Sequence, residues 1–141
     1  MDQTTVEFWQ NHSLRFLEMV LGTDKRGSID SADGYGRASR ECGDAIEIFL
    51  NVDDGAIRSA YFETEGCFYS VACGNAVVHL VEGKTVEEAS EITITDIVAY
   101  LETLPEKETH CAQLAVFALK FAIADFREND RQPWKKLYRK K

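Results

Sequence analysis

No apolar run in the 141-residue chain approaches the roughly 20 residues that a membrane-spanning helix requires, so the sequence reads as that of a soluble protein. The N-terminus lacks the charged, then apolar, then small layout of a secretory leader. A reducing cytosol is therefore the expected setting for the four cysteines, and there a thiol that is not packing is more often a metal ligand or a reactive group than half of a disulfide. Cations are in deficit: 16 Lys and Arg face 24 Asp and Glu, a net charge of −8. That balance argues against sequence-independent nucleic-acid binding, which needs phosphates to be neutralised. No repeat, low-complexity tract or interior linker divides the chain. One domain over residues 1–141 is expected, with about two-thirds of its unfolded surface buried.

The cations that are present gather at one end. From Arg127 onward seven basic and two acidic residues give +5, leaving −13 on the rest. Trp134 and Tyr138 lie four apart in this basic tail, which reads as a solvated end or a docking segment.

Periodicity outlines the fold. Phe8, Trp9, Leu14, Phe16, Leu17, Val20 and Leu21 predict a helix from about Val6 to Leu21, capped at Gly22. The Gly-, Asp- and Ser-rich run 22–36 reads as an exposed connection, with a weakly signalled strand from Tyr35 to Arg40. Ile46, Ile48, Leu50 and Val52 alternate with Glu47, Phe49 and Asn51, a half-buried strand that turns at Asp54-Gly55 into a partner strand. From Phe68 the period becomes helical, with Asn75, His79 and Glu82 as a narrow polar stripe ending at Gly83. Thr85 and Glu88 form a capping box, and Thr95 is expected to cap a helix to about Thr103. A last helix from about Thr109 is apolar nearly all round, with Gln113, Lys120 and Arg127 as its wet edge, and so should be central. Strands followed by a run of helices give an α+β fold.

Three cysteines sit where the chain changes structure: Cys42 before the first strong strand, Cys67 at a strand-to-helix junction, and Cys111 in the first turn of the last helix. Helix N-termini carry partial positive charge that favours thiolate. Asp44 lies two residues past Cys42, and His110 adjoins Cys111. Three thiolates, an imidazole and a carboxylate suit zinc or an iron-sulfur cluster. Without a C-x-x-C, spacing alone favours the plainer reading of small buried hydrophobes. Cys73 falls about 120° from His79 and from Cys67, on the face of Ala76, Val77 and Leu80, and is read as core. Cys111 lies about 160° from Gln113 and points inward, whereas His110 lies about 60° from it at a half-exposed rim. His12 and His79 are read as ordinary surface histidines.

The ordered motifs Cys42-Gly43-Asp44, Gly66-Cys67, Gly83-Lys84-Thr85 and His110-Cys111 resemble the IscU/NifU-type iron-sulfur cluster assembly scaffold family, over roughly residues 28–127. The resemblance implies a three-stranded antiparallel sheet packed against four to five helices, with the C-terminal helix central. It further implies that Cys42, Cys67 and Cys111, with Asp44 or His110 as an exchangeable fourth ligand, hold a 2Fe-2S cluster, with zinc or iron as an alternative occupant. The implied partners are a cysteine desulfurase that supplies sulfur and acceptor proteins that take the cluster, the role being that of a cytoplasmic, non-enzymatic scaffold. The oligomeric state, monomer or homodimer, stays open. A zinc-containing sulfur acceptor carrying a persulfide, on Cys111, is the alternative; a diverged docking protein is a third reading, against which the complete ligand set counts.

Departures from the family are local. Leu104-Pro105-Glu106-Lys107-Glu108 stands where the family has Leu-Pro-Pro-Val-Lys, its handle for a dedicated ATP-dependent chaperone, so that partner is not carried over. Glu108 replaces a lysine three residues before the last cysteine. The family's Asn-Pro-Arg-Asn-Val-Gly loop is replaced by Thr23-Asp24-Lys25-Arg26-Gly27. With only 43 residues between Cys67 and Cys111, the insertion of the zinc-dependent sulfur acceptors is absent.

Overall fold

The alternation of Ile46, Ile48 and Leu50 with Glu47, Phe49 and Asn51 becomes the middle strand of a three-stranded antiparallel sheet, its apolar set fully buried. The structure, a computed structural model, describes residues 12–40 and 43–131. Strand β1 (Gly34–Ser39) pairs with β2 (Ala45–Asp53) from Gly34 opposite Leu50 to Ser39 opposite Ala45, and β2 pairs with β3 (Ala56–Thr64). Asp54 and Gly55 join β2 to β3 with φ of 53° and 79°, the left-handed pair of a type I′ turn.

Five α-helices are described: α1 (Leu14–Leu21), α2 (Phe68–Val81), α3 (Val86–Ser90), α4 (Ile94–Leu101) and α5 (Thr109–Arg131), with a 3₁₀ turn over Glu106–Glu108. Ser13 caps α1, so the expected helix is shorter at its start; the part from Val6 to Asn11 lies outside the described residues. Thr85 and Glu88 close the expected capping box. For α4 the cap is Thr93, two residues before the expected Thr95, because Asp96 at the third helical position completes a second box with it.

Helix α5 lies directly on β1. A side-chain carbon at Gly36 would stand 2.2 Å from the Ala118 carbonyl oxygen, and one at Gly34 would stand 2.4 Å from that of Ala122. Glycine on the strand facing alanine on the helix lets the two backbones meet without side chains between them. Asp125 then accepts the Tyr35 N–H at 2.9 Å, and Asn129 donates to the Asp33 carbonyl at 3.2 Å. The helix is central as expected, but its wet edge is broader. Phe117 and Phe121 join Gln113, Lys120 and Arg127 on it, 42% and 54% exposed. The helix also runs to Arg131, so the first residues of the basic tail are helical; residues 132–141, with Trp134 and Tyr138, lie outside the described set.

The polar stripe of α2 proves to be a line of internal ties. Asn75 is fully buried and donates to the Met19 and Gly22 carbonyls at 3.0 and 3.4 Å. Glu82 accepts from Lys25 Nζ at 2.6 Å and from the Ala60 N–H at 3.0 Å. These contacts hold the 22–33 connection against the sheet, where Gly27 donates to the Phe62 carbonyl and Phe62 to that of Lys25. That connection is therefore partly docked, because an edge strand with open backbone groups recruits it. His79 bonds the Asn75 carbonyl oxygen at 2.9 Å, and His12 stacks on Phe16 at 4.2 Å while bonding Thr103. Both histidines have structural partners.

Substituting Gly36→Ala should lower stability by about 2 kcal/mol or more, since backbone on the helix side cannot yield. Urea unfolding measures this; a loss below about 0.5 kcal/mol would show that the close approach is not a constraint.

Candidate metal centre

Topology brings three separate segments to one end of the sheet. In an antiparallel order β1-β2-β3, the β1–β2 connection and the exit from β3 lie at the same end. The register of α5 on β1 runs the opposite way, Gly36 meeting Ala118 and Gly34 meeting Ala122, so the start of α5 returns to that end too. Asp44, Cys67 and the His110-Cys111 pair are thereby gathered from three parts of the chain. Cys42 lies outside the described residues.

Cys67 is the N-cap residue of α2, with extended backbone (φ −75°, ψ −176°) and no capping bond from its side chain. Its thiol is exposed. Behind it the junction is braced: Thr64 donates from its hydroxyl to the Ala45 carbonyl at 2.6 Å and accepts the Gly66 N–H at 3.0 Å. Gly66 has no room for a side chain, since a carbon there would meet Ser70 Oγ at 2.4 Å. Ser70, fully buried, in turn donates to Cys111 Sγ at 3.5 Å.

Cys111 is buried in the first turn of α5, as its rotation from Gln113 predicts. Burial pushes its thiol up to about 12; the Ser70 hydroxyl opposes that rise, while Cys67, Glu108 and Asp44 add to it. Desolvation thus keeps this thiol protonated, and a bound cation would favour loss of its proton to solvent. Cys73 is buried in the core and its thiol is raised further, chiefly by desolvation, which bears out its reading as packing.

The donor atoms of Cys67, Glu108 and Cys111 all lie within 4.8 Å of one another. A tetrahedral ion with sulfur at about 2.3 Å sets its ligands a little under 4 Å apart, so small side-chain rotations close the difference. His110 Nε2 is 3.9 Å from Asp44 Oδ2 and 3.8 Å from Glu108 Oε2, with all three side chains half-buried. Of the five expected site residues, then, four are described: Cys67 and Cys111 share a donor group, and Asp44 and His110 adjoin it through Glu108 and each other.

Sequence reasoning did not find Glu108 as a donor or Ser70 as a thiol partner. For Glu108 a signal existed, since residues three apart share a helix face, but the 3₁₀ turn that aims it had no visible pattern. Ser70 looks in sequence like any small residue of a buried helix.

The family described as the NifU-like N terminal domain matches residues 16–133. The chain belongs to that family. NifU-like relatives include the iron-sulfur cluster assembly scaffold protein IscU 1 of Archaeoglobus fulgidus, 38% identical over 107 residues that cover 74% of this chain and 70% of that one. The scaffold protein IscU of Escherichia coli K12 is 41% identical over 106 residues, 72% of this chain and 82% of its own. Among solved structures, the N-terminal part of a NifU-like protein from Brucella abortus superposes with a TM-score of 0.67 at 17% identity, over 82% of this chain and 94% of that one. The scaffold protein FiSufU of Fervidobacterium islandicum AW-1 gives 0.65 at 19%, over 81% and 97%. These two establish the α+β NifU-like fold of the chain. No helix among the described residues is long and apolar enough to cross a membrane.

Iodoacetamide on the native protein should modify exposed Cys67 more than about tenfold faster than Cys73 or Cys111, whose thiols are buried and pushed up by desolvation. Timed quenching and peptide mapping test this; comparable rates at Cys67 and Cys111 would contradict the burial of Cys111.

Proposed function

We propose that this NifU-like chain is a scaffold on which a 2Fe-2S cluster is built from iron and desulfurase-derived sulfur, then handed to acceptor proteins. The observation that carries the reading is the meeting of Cys67 and Cys111 at the starts of two helices, beside a carboxylate and an imidazole. The named scaffold relatives support it. Cys42 joins as the third thiolate on the strength of its motif with Asp44.

Cluster iron bonded to thiolate is held firmly, whereas an oxygen or imidazole donor is a poorer match for sulfide-bridged iron. A site completed by Asp44 or His110 therefore retains its cargo yet can release it. Cys67 is exposed, which leaves an approach for a desulfurase bringing sulfur or an acceptor removing the cluster. Zinc suits the same mixed donors and is the expected competitor. In this reading the chain is one cytoplasmic scaffold domain without catalytic turnover, monomeric or paired with a second copy. The chaperone of other scaffolds is not included, given Glu106, Lys107 and Glu108 after Pro105.

Anaerobic incubation with ferrous iron, cysteine and a cysteine desulfurase should give a visible cluster chromophore with acid-labile sulfide. Replacing Cys42, Cys67 or Cys111 by serine should abolish it, and Cys73→Ala should spare it. Tightly held zinc with stimulation of the desulfurase and no cluster would instead favour the persulfide acceptor.

A further inference from the structure

Glu108 is turned toward the thiols of Cys67 and Cys111. Pro105 opens the 3₁₀ turn, Glu108 donates its N–H to the Pro105 carbonyl at 2.9 Å, and the Thr109 hydroxyl bonds the Glu106 carbonyl at 2.7 Å. That turn leaves Glu106 and Lys107 exposed while Glu108 is only 20% exposed. Cys111 follows three residues later, on the same face of the helix start, and its Sγ stands 3.9 Å from Glu108 Oε2. Among the described residues no lysine or arginine forms a salt bridge with Glu108, and the His110 ring lies 3.8 Å from it. A half-buried carboxylate facing two thiols, one fully buried, is costly unless a cation joins them.

We propose that Glu108 is a metal ligand, joining Cys67 and Cys111 around a single divalent cation, ferrous iron or zinc. Two thiolates and a carboxylate supply three donors, and a fourth position is left for another ligand. On binding, each thiol loses a proton to solvent as its metal–sulfur bond forms, and no electrons change hands. Lysine at position 108 would place an ammonium, which has no free electron pair, where this chain places an anionic donor. This deepens the scaffold reading, resting on it only for ferrous iron as the physiological ion; the three donors stand together whatever the cargo.

The test uses the full chain with zinc and cobalt(II), free of sulfide and desulfurase. Wild type should show thiolate-to-cobalt absorption and chelator-competed zinc binding. Glu108→Gln should weaken zinc by about tenfold or more, at least the effect typical of losing an outer-shell partner, while retaining two-thiolate cobalt absorption at saturation. Glu108→Asp should recover part of the affinity, Glu108→Lys should recover none, and the exposed Glu106→Gln should change nothing. Cys67→Ser and Cys111→Ser should each lose roughly half the cobalt absorption or all binding. Circular dichroism confirms that each variant is folded. If Glu108→Gln binds zinc within about twofold of wild type, the proposal is overturned. Cluster assembly on wild type separates the two ideas. A chain that forms no cluster yet loses zinc with Glu108→Gln refutes the scaffold reading alone; one that forms a cluster with Glu108 indifferent to metal refutes this inference alone.

Discussion

Two backbones in contact determine where the chemistry can occur. Gly34 and Gly36 on the sheet edge meet Ala122 and Ala118 on the last helix so closely that any larger residue on the strand would collide with main-chain atoms. Such an approach permits little sliding, because a carbonyl cannot rotate aside as a side chain can. The helix start is therefore held in register with the sheet, next to the exit of β3 and the Asp44 turn. Thr64 and Ser70 continue the bracing, one holding the β3 exit to the first residue of β2, the other linking α2 to the Cys111 sulfur. A metal centre needs donors placed to within fractions of an ångström, and here rigid elements rather than loops supply Cys67 and Cys111.

Against that rigidity works the chemistry of burial. A thiol enclosed by apolar side chains resists ionisation, and Cys111 and Cys73 both show it. What distinguishes the two is company. Both belong to the buried core cluster, but Cys111 also meets Cys67, Glu108 and a serine hydroxyl. Charge on Cys67, Glu108 and Asp44 makes ionisation of Cys111 harder still until a cation arrives, after which the same charges become ligands or counter-ions. Under the proposed metal binding, a site of this kind would be unfavourable alone and favourable when loaded.

Much of this was legible in the chain. Strand alternation around Ile48, the Asp54-Gly55 turn, the Thr85 capping box and the inward rotation of Cys111 all emerged where expected, since each depends on residues within a turn or two of one another. Errors arose where a local pattern had competitors. Thr95 and Thr93 are both plausible caps, and only Thr93 has an acidic residue three positions on. Asn75 resembled part of a wet stripe, because nothing in sequence reveals that the end of α1 offers its carbonyls there. The last helix reads as apolar nearly all round, yet Phe117 and Phe121 on it are exposed.

The sequence by itself determined the kinds of donor available, the elements that carry them and the faces those elements bury, since periodicity and capping are local properties of a chain. Only the tertiary structure decided that Cys67 and Cys111 share a site, that Ser70 bonds one of them, and that Glu108 turns in to meet both. Those facts depend on strand order, on the direction in which α5 crosses β1, and on a single 3₁₀ turn. Contacts between segments far apart in sequence arise from packing that no short-range pattern records.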